Sequence, residues 1–302
     1  MKNLITILGP TATGKTKLAA ALAATIGGEV ISADSRQVYR GMDIGTGKDI
    51  EDYFYNGTGV PFHLIDIVDP GYEYNVFEFQ KDFARVFNDI IAREKIPVLA
   101  GGSGMYIDSI VNNYKLVKVS EDEFLRKKLE KLSDEKLREL LKSYGSLHNT
   151  TDLTDRKRLI RAIEIKDYEK RNPEKVVKLP VIDSVNIGIY FEREEVRQRI
   201  TARLAQRLEN GMIEEVKSLL KTGLTPEQLT FYGLEYKWVT LYVTGKIEYN
   251  EMFRQLNTAI HQFAKRQMTW FRRMEKKGVK IFWIDGHLSV EEKLAAVLKI
   301  IR

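Results

Sequence analysis

The sequence contains no cysteine, only seven prolines among its 302 residues, and no long apolar run. Without cysteine, disulfides, thiolate zinc sites and cysteine nucleophiles are excluded, and the composition fits a reducing compartment. The early apolar run Leu4–Leu8 is too short for a secretory signal and leads directly into a glycine loop. No segment approaches the roughly 20 apolar residues that a membrane span needs. We therefore expect a cytoplasmic protein with no membrane partner.

The remaining composition is that of a globular enzyme. Hydrophobic residues make up 43% of the chain and charged residues 30%. A chain of this length can bury a full core and has room for one large domain with a smaller insertion. Lysine and arginine outnumber the acids by 48 to 42, and this modest excess favours a phosphate-rich partner.

Short apolar runs alternate with amphipathic stretches, a pattern typical of parallel strands joined by crossover helices in an α/β fold. The predicted strands are Leu4–Leu8, Glu29–Ala33, and residues 62–67, 96–100, 186–191 and 279–284. Two long helices are predicted near the end of the chain, at residues 193–211 and 250–277. On the second, helical spacing predicts that Leu256, Ile260, Phe263 and Trp270 are buried.

The middle of the chain has a different character. Residues 116–174 are dense in lysine, and leucines recur there at helical intervals. We interpret this stretch as a small helical insertion outside the sheet. The predicted organisation is a catalytic core of residues 1–114 and 175–302, interrupted by an insertion domain of residues 115–174.

The most specific motif follows the first predicted strand and precedes a predicted helix. It fits the P-loop pattern G-x-x-x-x-G-K-[ST] and consists of Gly9, Pro10, Thr11, Ala12, Thr13, Gly14, Lys15 and Thr16. Its backbone N–H groups and the helix N-terminus favour a diphosphate, Lys15 supplies a cation, and the Thr16 hydroxyl can hold Mg²⁺. The motif alone leaves open whether the diphosphate belongs to a nucleotide.

Two other polar positions follow predicted strands and should lie at the same sheet edge. Asp34 comes directly after the second strand, where it could act as a base or bind a metal, or simply cap a turn. Ser103 lies in the glycine-rich turn of residues 101–106. Its hydroxyl could donate to a phosphate or a base, but glycines there could equally serve strand-to-helix packing.

Two features of the long helices have ordinary structural interpretations. Arg199, Arg203 and Arg207 repeat at every fourth residue and so share a face, which is most often a solvated one. His261 has no partner at metal-ligand spacing, and we interpret it as a polar-face histidine.

Together these stretches resemble the tRNA dimethylallyltransferase (tRNA isopentenyltransferase) family, in its bacterial type without a zinc-finger tail. The matching blocks occur in the family's order and span nearly the whole chain. They are residues 9–16, 31–39, 41–46, 101–106, 157–164 and 263–271, together with Arg199, Ile200, Arg203 and Gly211. Residues 144–155 and 230–236 depart from the family's usual pattern, which leaves the tRNA specificity open.

The resemblance implies a P-loop NTPase-like parallel sheet flanked by helices, with a small helical insertion domain that grips the anticodon stem-loop. It also implies transfer of a dimethylallyl group from dimethylallyl diphosphate to N6 of the adenosine 3′-adjacent to the anticodon. Asp34 would be the base, while Ser103 and Arg203 would bind the diphosphate together with Lys15 and Mg²⁺.

The resemblance further implies which residues contact tRNA. They are Asp34, Ser35, Arg36, Gln37, Lys157, Arg158, Leu159, Ile160 and Arg161. Residues 231–236 are expected near the same channel, and the protein is expected to be a monomer.

Two alternatives remain open. A prenyltransferase acting on free AMP, ADP or ATP would share the Asp34 chemistry but would not need the insertion, so residues 116–174 favour tRNA. An NTP-dependent kinase or a nucleotide-binding regulatory module would use the P-loop alone and would not need the later blocks.

Overall fold

The computed structural model describes residues 2–145, 153, 155–172 and 179–301 of the chain. The chain divides into two compact units. The larger comprises Met1–Asn113 and Leu179–Arg302, and the smaller comprises Tyr114–Lys178. Most of the unusual 144–155 segment, and residues 173 and 174 of the expected insertion, lie outside the described residues.

Within the larger unit, six strands form one parallel sheet in the order β5-β2-β6-β1-β7-β8. Its strands are β1 (Leu4–Leu8), β2 (Glu29–Ala33), β5 (Phe62–His63), β6 (Pro97–Gly101), β7 (Ser184–Tyr190) and β8 (Ile281–Asp285). A separate antiparallel hairpin pairs β3 (Phe54–Tyr55) with β4 (Thr58–Gly59). Strands β1, β2 and β6 are buried throughout, as expected for a parallel sheet covered on both faces. The predicted α/β class is confirmed.

One predicted strand is much shorter than expected. The apolar run of residues 62–67 forms a strand only over Phe62–His63. Leu64 and Asp66 have positive φ angles of 63° and 52°, and this left-handed conformation ends the extended backbone. Alternating hydrophobicity alone could not reveal these turns.

The helices of the larger unit cover the sheet. They are α1 (Lys15–Ile26), α2 (Val76–Ala92), α3 (Gly104–Val111), α7 (Arg193–Glu209), α8 (Met212–Lys221), α9 (Pro226–Phe231), α10 (Leu234–Val243), α11 (Tyr249–Lys276) and α12 (Val290–Ile301). A short 3₁₀ helix spans Ile50–Tyr53. The two long helices predicted near the end of the chain are α7 and α11, each ending within two residues of its predicted bounds.

The buried face of α11 differs in part from the predicted one. Leu256 and Ile260 are buried as expected, but the Phe263 side chain is 38% exposed. Ala264, Gln267 and Phe271 continue the buried stripe instead, because the face follows a spacing of three and four residues. The prediction for Phe263 was wrong, and a glutamine occupies the apolar face.

The smaller unit has a hydrophobic core of its own. Its helices are α4 (Glu123–Leu129), α5 (Asp134–Ser143) and α6 (Arg156–Arg171). The buried side chains of this core are Leu129, Leu137, Leu141, Leu159, Ile160 and Ile163. Leu159 and Ile160 are therefore core residues of α6, and the expectation that their side chains contact tRNA is corrected.

A buried charge cluster reinforces this core. Glu164 is 1% exposed, and its carboxylate accepts hydrogen bonds from Arg126, Arg161 and the Asp122 N–H. Burial alone would raise the pKa of Glu164, but these hydrogen bonds outweigh it and the pKa is lowered. Arg161 also donates to the Val119 carbonyl oxygen. Its guanidinium thus fixes the fold of the smaller unit.

No helix among the described residues is both long enough and apolar enough to cross a membrane.

Candidate functional site

The P-loop lies between β1 and α1, where the sequence places it. Gly14 caps α1 with a left-handed backbone (φ 78°), a conformation that favours glycine. The Lys15 Nζ and the Thr13 Oγ1 both donate to the Pro10 carbonyl oxygen, at 2.6 and 2.9 Å. These bonds fold the loop over the start of α1, whose first N–H groups have no partner within the helix. The loop has the geometry of an anion cradle.

The electrostatic surroundings of Lys15 show which charges converge on the loop. Burial and the nearby positive charge of Arg203 lower the pKa of Lys15 to about 8, against the opposing negative charge of Asp34. Lys15, Arg203 and Asp34 therefore share one electrostatic environment. A bound diphosphate would raise the pKa of Lys15 again, because an anion favours the protonated form.

The turns that follow β2 and β6 are joined to each other. The Ser103 N–H donates to the Ala33 carbonyl oxygen at 3.2 Å, and the Ser103 Oγ accepts from the Ser35 N–H at 3.0 Å. Asp34, between them, accepts from the Arg36 N–H at 2.9 Å and is half-buried. The Ser103 Oγ in turn donates to the Ser35 Oγ at 3.5 Å, a long bond that a better acceptor can replace. Asp34 and Ser103 thus lie side by side at the sheet edge.

The arginines of α7 share a face that is only partly solvated: Arg199 is exposed, as the sequence interpretation expects, but Arg203 and Arg207 are partly buried. Arg199 Nε donates to the Ala12 carbonyl oxygen of the P-loop at 2.9 Å. Arg203 pairs with the Asp49 carboxylate. The Arg207 side chain is only 14% exposed and lies 4.0 Å from the Glu235 carboxylate. Because the three arginines are spaced four residues apart, they lie on one face of α7, beside the candidate site.

A glycine loop packs against two of these arginines. A Cβ atom built on Gly47 would lie 1.7 Å from Nη2 of Arg207 and 3.1 Å from Nη2 of Arg203. Glu215 holds the same loop by accepting from the N–H groups of Asp43, Ile44 and Gly45. The arginine positions therefore depend on the absence of a side chain at residue 47.

Arg207 and Glu235 form a desolvated pair beside the P-loop. Burial and the charge of Arg203 lower the pKa of Arg207, while burial raises the pKa of Glu235 against the opposing charge of Arg207. A small cavity lies next to them. Its lining residues are Thr11, Ala12, Ile200, Arg203, Leu204, Arg207, Glu235 and Ile260. The cavity combines cationic and apolar walls.

The remaining predicted residues have varied surroundings. Gln37 donates to the Gly47 carbonyl oxygen at 3.1 Å, and Arg36 lies 5.7 Å from the centre of the exposed Phe231 ring. His261 Nε2 lies 3.1 Å from the Arg197 carbonyl oxygen and 3.3 Å from the Thr201 hydroxyl, which fits its interpretation as a polar-face residue.

Sequence reasoning missed four residues at the site. Asp49 pairs with Arg203, Glu215 holds the glycine loop, Glu235 faces Arg207, and Gln267 hydrogen-bonds to the P-loop. Gln267 alone had a signal, because a polar residue on the apolar stripe of a helix needs a buried partner. The three acids lie in charge-rich segments where no pattern distinguishes them.

The possible metal ligands at the P-loop suit an ion that is bound mainly by the oxygens of a diphosphate. The described part of the chain holds no group of three or more His, Cys, Asp or Glu side chains able to form a metal cage. Thr16 is half-buried in the first turn of α1. Mg²⁺ usually keeps several waters and takes few protein ligands beside substrate phosphates, so one hydroxyl next to an anion cradle fits it.

The parallel sheet, the P-loop and the cations around it define an α/β enzyme of the P-loop type. Family models narrow the class: one described as "IPP transferase" matches residues 37–274, and one described as "Isopentenyl transferase" matches residues 2–63. The chain belongs to the IPP transferase family.

Relatives are similar along nearly their whole length. The tRNA dimethylallyltransferase 2 of Bacteroides fragilis is 55% identical over 292 residues, which cover 97% of this chain and 95% of that protein. The tRNA dimethylallyltransferase 1 of Parabacteroides distasonis is 54% identical over 299 residues, covering 99% and 97% of the two chains.

Solved structures share the fold. The full-length tRNA isopentenylpyrophosphate transferase from Bacillus halodurans superposes with a TM-score of 0.72 at 32% identity, covering 100% of this chain and 96% of that one. A eukaryotic dimethylallyltransferase acting on tRNA, at 24% identity, has a TM-score of 0.78 and covers 100% of this chain and 80% of that one.

Proposed function

We propose that this enzyme transfers the dimethylallyl group of dimethylallyl diphosphate to N6 of the adenosine 3′-adjacent to the anticodon in tRNA. The products are N6-(dimethylallyl)adenosine and diphosphate. The observation that carries the proposal is the meeting of Lys15, Arg203 and Asp34 at the P-loop of a chain that belongs to the IPP transferase family. This site offers cations for a leaving group and a carboxylate for a proton. We also propose that the protein is located in the cytoplasm and is a monomer.

The leaving group sets the first requirement. As the bond between the allylic carbon and the diphosphate oxygen breaks, negative charge grows on the diphosphate. The N-terminus of α1, the Lys15 ammonium and the Arg203 guanidinium meet that charge from fixed positions, and the Ser103 hydroxyl donates a further hydrogen bond. Preorganised donors of this kind stabilise developing charge without reorganising.

The nucleophile sets the second requirement. An adenine N6 amine is a poor nucleophile, and it loses a proton as its bond to the allylic carbon forms. Asp34 accepts that proton. Its hydrogen bond from the Arg36 N–H fixes the carboxylate, and half-burial shields it from water. The adenosine must leave its stack to reach this carboxylate, so a flipped base is required.

Mg²⁺ completes the diphosphate site in this proposal. Thr16 would hold it through its hydroxyl, and the ion would supply further positive charge to the diphosphate oxygens.

The contact with tRNA uses residues of both units in this proposal. In the larger unit it uses Asp34, Ser35, Arg36 and Gln37. In the smaller unit Lys157 and Arg158 have exposed side chains near the start of α6, suited to phosphate contacts. Arg161 also belongs to the proposed contact surface, because its side chain is 37% exposed while it bonds to Glu164 and Val119.

The test supplies both acceptor classes to one enzyme. Purified protein, Mg²⁺ and dimethylallyl diphosphate are incubated with an anticodon stem-loop whose loop carries adenosine at the target position. A parallel reaction contains AMP. Nucleoside analysis by mass spectrometry should find dimethylallyladenosine in the stem-loop alone. A stem-loop with guanosine at the target position is the matched control and should stay unmodified. Product from AMP alone would contradict the tRNA assignment.

A further inference from the structure

Gln267 joins the two loops that carry the diphosphate site. Its Oε1 accepts from the Thr11 N–H of the P-loop at 2.9 Å, and its Nε2 donates to the Gly102 carbonyl oxygen at 2.9 Å. The side chain is only 6% exposed. One amide group therefore bonds the P-loop to the turn that carries Ser103.

The spacing around this amide is tight. A Cβ atom built on Gly102 would lie 2.3 Å from Nε2 of Gln267, so residue 102 must be glycine for the bond to form. The same helix carries Ala264 and Phe271 on its buried face, and these positions fix where Gln267 emerges. The bridge is thus built from a helix in the core and a glycine in the turn.

The bridge also determines which P-loop groups remain available. The Thr11 N–H donates to Gln267 and not toward the space over the loop. A bound diphosphate must therefore use other groups, such as the remaining N–H groups of the loop and of the start of α1, Lys15 and the Ser103 hydroxyl. The position of that hydroxyl relative to Lys15 depends on the distance that the Gln267 amide sets between the two loops.

We propose that Gln267 is a positioning residue for the diphosphate site, which sets the P-loop and the Ser103 turn at the separation that the diphosphate requires. It acts through Thr11 and Gly102 and does not touch the substrate. The inference rests on the proposed function for its kinetic readout. Diphosphate binding itself does not depend on the acceptor.

The main test is Gln267→Met, which keeps the side-chain length but can neither accept nor donate these bonds strongly. Gln262→Met is the matched control, since it makes the same change at an exposed position of α11. Titration calorimetry with Mg²⁺ and inorganic diphosphate measures binding without transfer. Kinetics then give KM for dimethylallyl diphosphate, KM for the stem-loop, and kcat.

We expect Gln267→Met to weaken diphosphate binding and raise the donor KM by roughly tenfold, because two buried groups lose their partner. The stem-loop KM should change less than about twofold, and Gln262→Met should behave as the unchanged protein. A general structural defect would lower the melting temperature without separating the two KM values.

Gly102→Ala tests the same bridge from its other end and covers the case in which Gln267→Met fails to fold. Its methyl group displaces the Gln267 amide, so it should reproduce the rise in donor KM. The two changes break one bridge, so their effects should not add in the double variant.

Unchanged diphosphate affinity in folded Gln267→Met, or in Gly102→Ala, would overturn the inference. Equal rises in both KM values would do the same. If the unmodified enzyme binds diphosphate but transfers nothing to the stem-loop, the proposed function fails, while the binding comparison still decides the role of Gln267.

Discussion

At the scale of single residues, Asp34 has the most direct role in the chemistry. Replacing it by asparagine keeps the shape and the hydrogen bond from the Arg36 N–H but removes the proton acceptor. We expect Asp34→Asn to lower kcat by about 100-fold or more, the usual contribution of a positioned base. Rapid-quench measurement of a single turnover, with stem-loop affinity measured alongside, checks this. An equal loss of affinity and rate would make Asp34 a binding residue.

Lys15 predicts a dependence on pH. Burial and Arg203 lower the pKa of its ammonium group to about 8 in the free enzyme, and bound diphosphate raises it. Binding therefore takes up a proton above about pH 8, so donor affinity should fall as pH rises from there. Below that pH the group is already charged and adds no dependence.

Fluorescence titration of dimethylallyl diphosphate between about pH 7 and pH 9.5 checks this prediction. Lys15→Arg is the control, because a guanidinium stays charged throughout that range. The decline above about pH 8 should disappear in this variant. If it persists, another group is responsible for it.

Arg203 is proposed to stabilise the negative charge on the departing diphosphate. Arg203→Ala removes a cation that pairs with Asp49 in this structure and faces the same site as Lys15. We expect kcat to fall by roughly 100-fold and stem-loop affinity to remain, because the guanidinium stabilises charge that develops in the transition state. Arg197→Ala, on the exposed part of the same helix, is the control. Loss of tRNA binding without loss of rate would contradict this role.

At the scale of elements, the loop that contains Gly47 determines where the α7 arginines lie. Gly47→Ala places a methyl group against Arg207 and Arg203 and also strains a backbone with φ 67°. Gly57 has a similar φ of 75° and open space around it, so Gly57→Ala carries the strain without the contact. Any loss of activity that Gly47→Ala shows beyond that of Gly57→Ala therefore reports the displacement of the two arginines.

We expect Gly57→Ala to lose about 1 kcal/mol of stability and to keep its activity. Gly47→Ala should lose at least as much stability and also roughly tenfold in kcat/KM for the donor. Thermal unfolding and steady-state kinetics measure both quantities. Similar activities in the two variants would mean that the arginines do not depend on this loop.

Elements also show how far the sequence predicts the structure. The P-loop, its flanking strand and helix, and the two long C-terminal helices follow from local pattern, because glycine spacing and helical periodicity are local properties. Strand β5 and the buried face of α11 were less predictable. Leu64 and Asp66 turn the backbone in a way that their side chains do not indicate, and Gln267 replaces an apolar residue for the sake of two distant loops. A single sequence can indicate that a polar residue on an apolar stripe needs a buried partner, but not which distant loops supply that partner.

At the scale of the whole molecule, the smaller unit is proposed to supply the grip on tRNA. Lys157 and Arg158 are exposed near the start of α6. We expect the double change Lys157→Ala and Arg158→Ala to weaken stem-loop binding and to reduce the slope of log affinity against log salt by about one to two. The donor KM should not change. Lys131→Ala, an exposed lysine of the same unit, is the control and should alter the slope less. Filter binding over a range of salt concentrations measures this slope. An unchanged slope would show that these α6 residues do not contact tRNA phosphates.

The central claim is prenyl transfer to tRNA adenosine, and one measurement tests it most directly. Radiolabelled dimethylallyl diphosphate, Mg²⁺ and an unmodified anticodon stem-loop are incubated with the enzyme and, in parallel, with its Asp34→Asn variant. The stem-loop is then digested to nucleosides. The account predicts label in N6-(dimethylallyl)adenosine with the unmodified enzyme and almost none with the variant. Absence of label from the stem-loop, or equal labelling by both proteins, would contradict it.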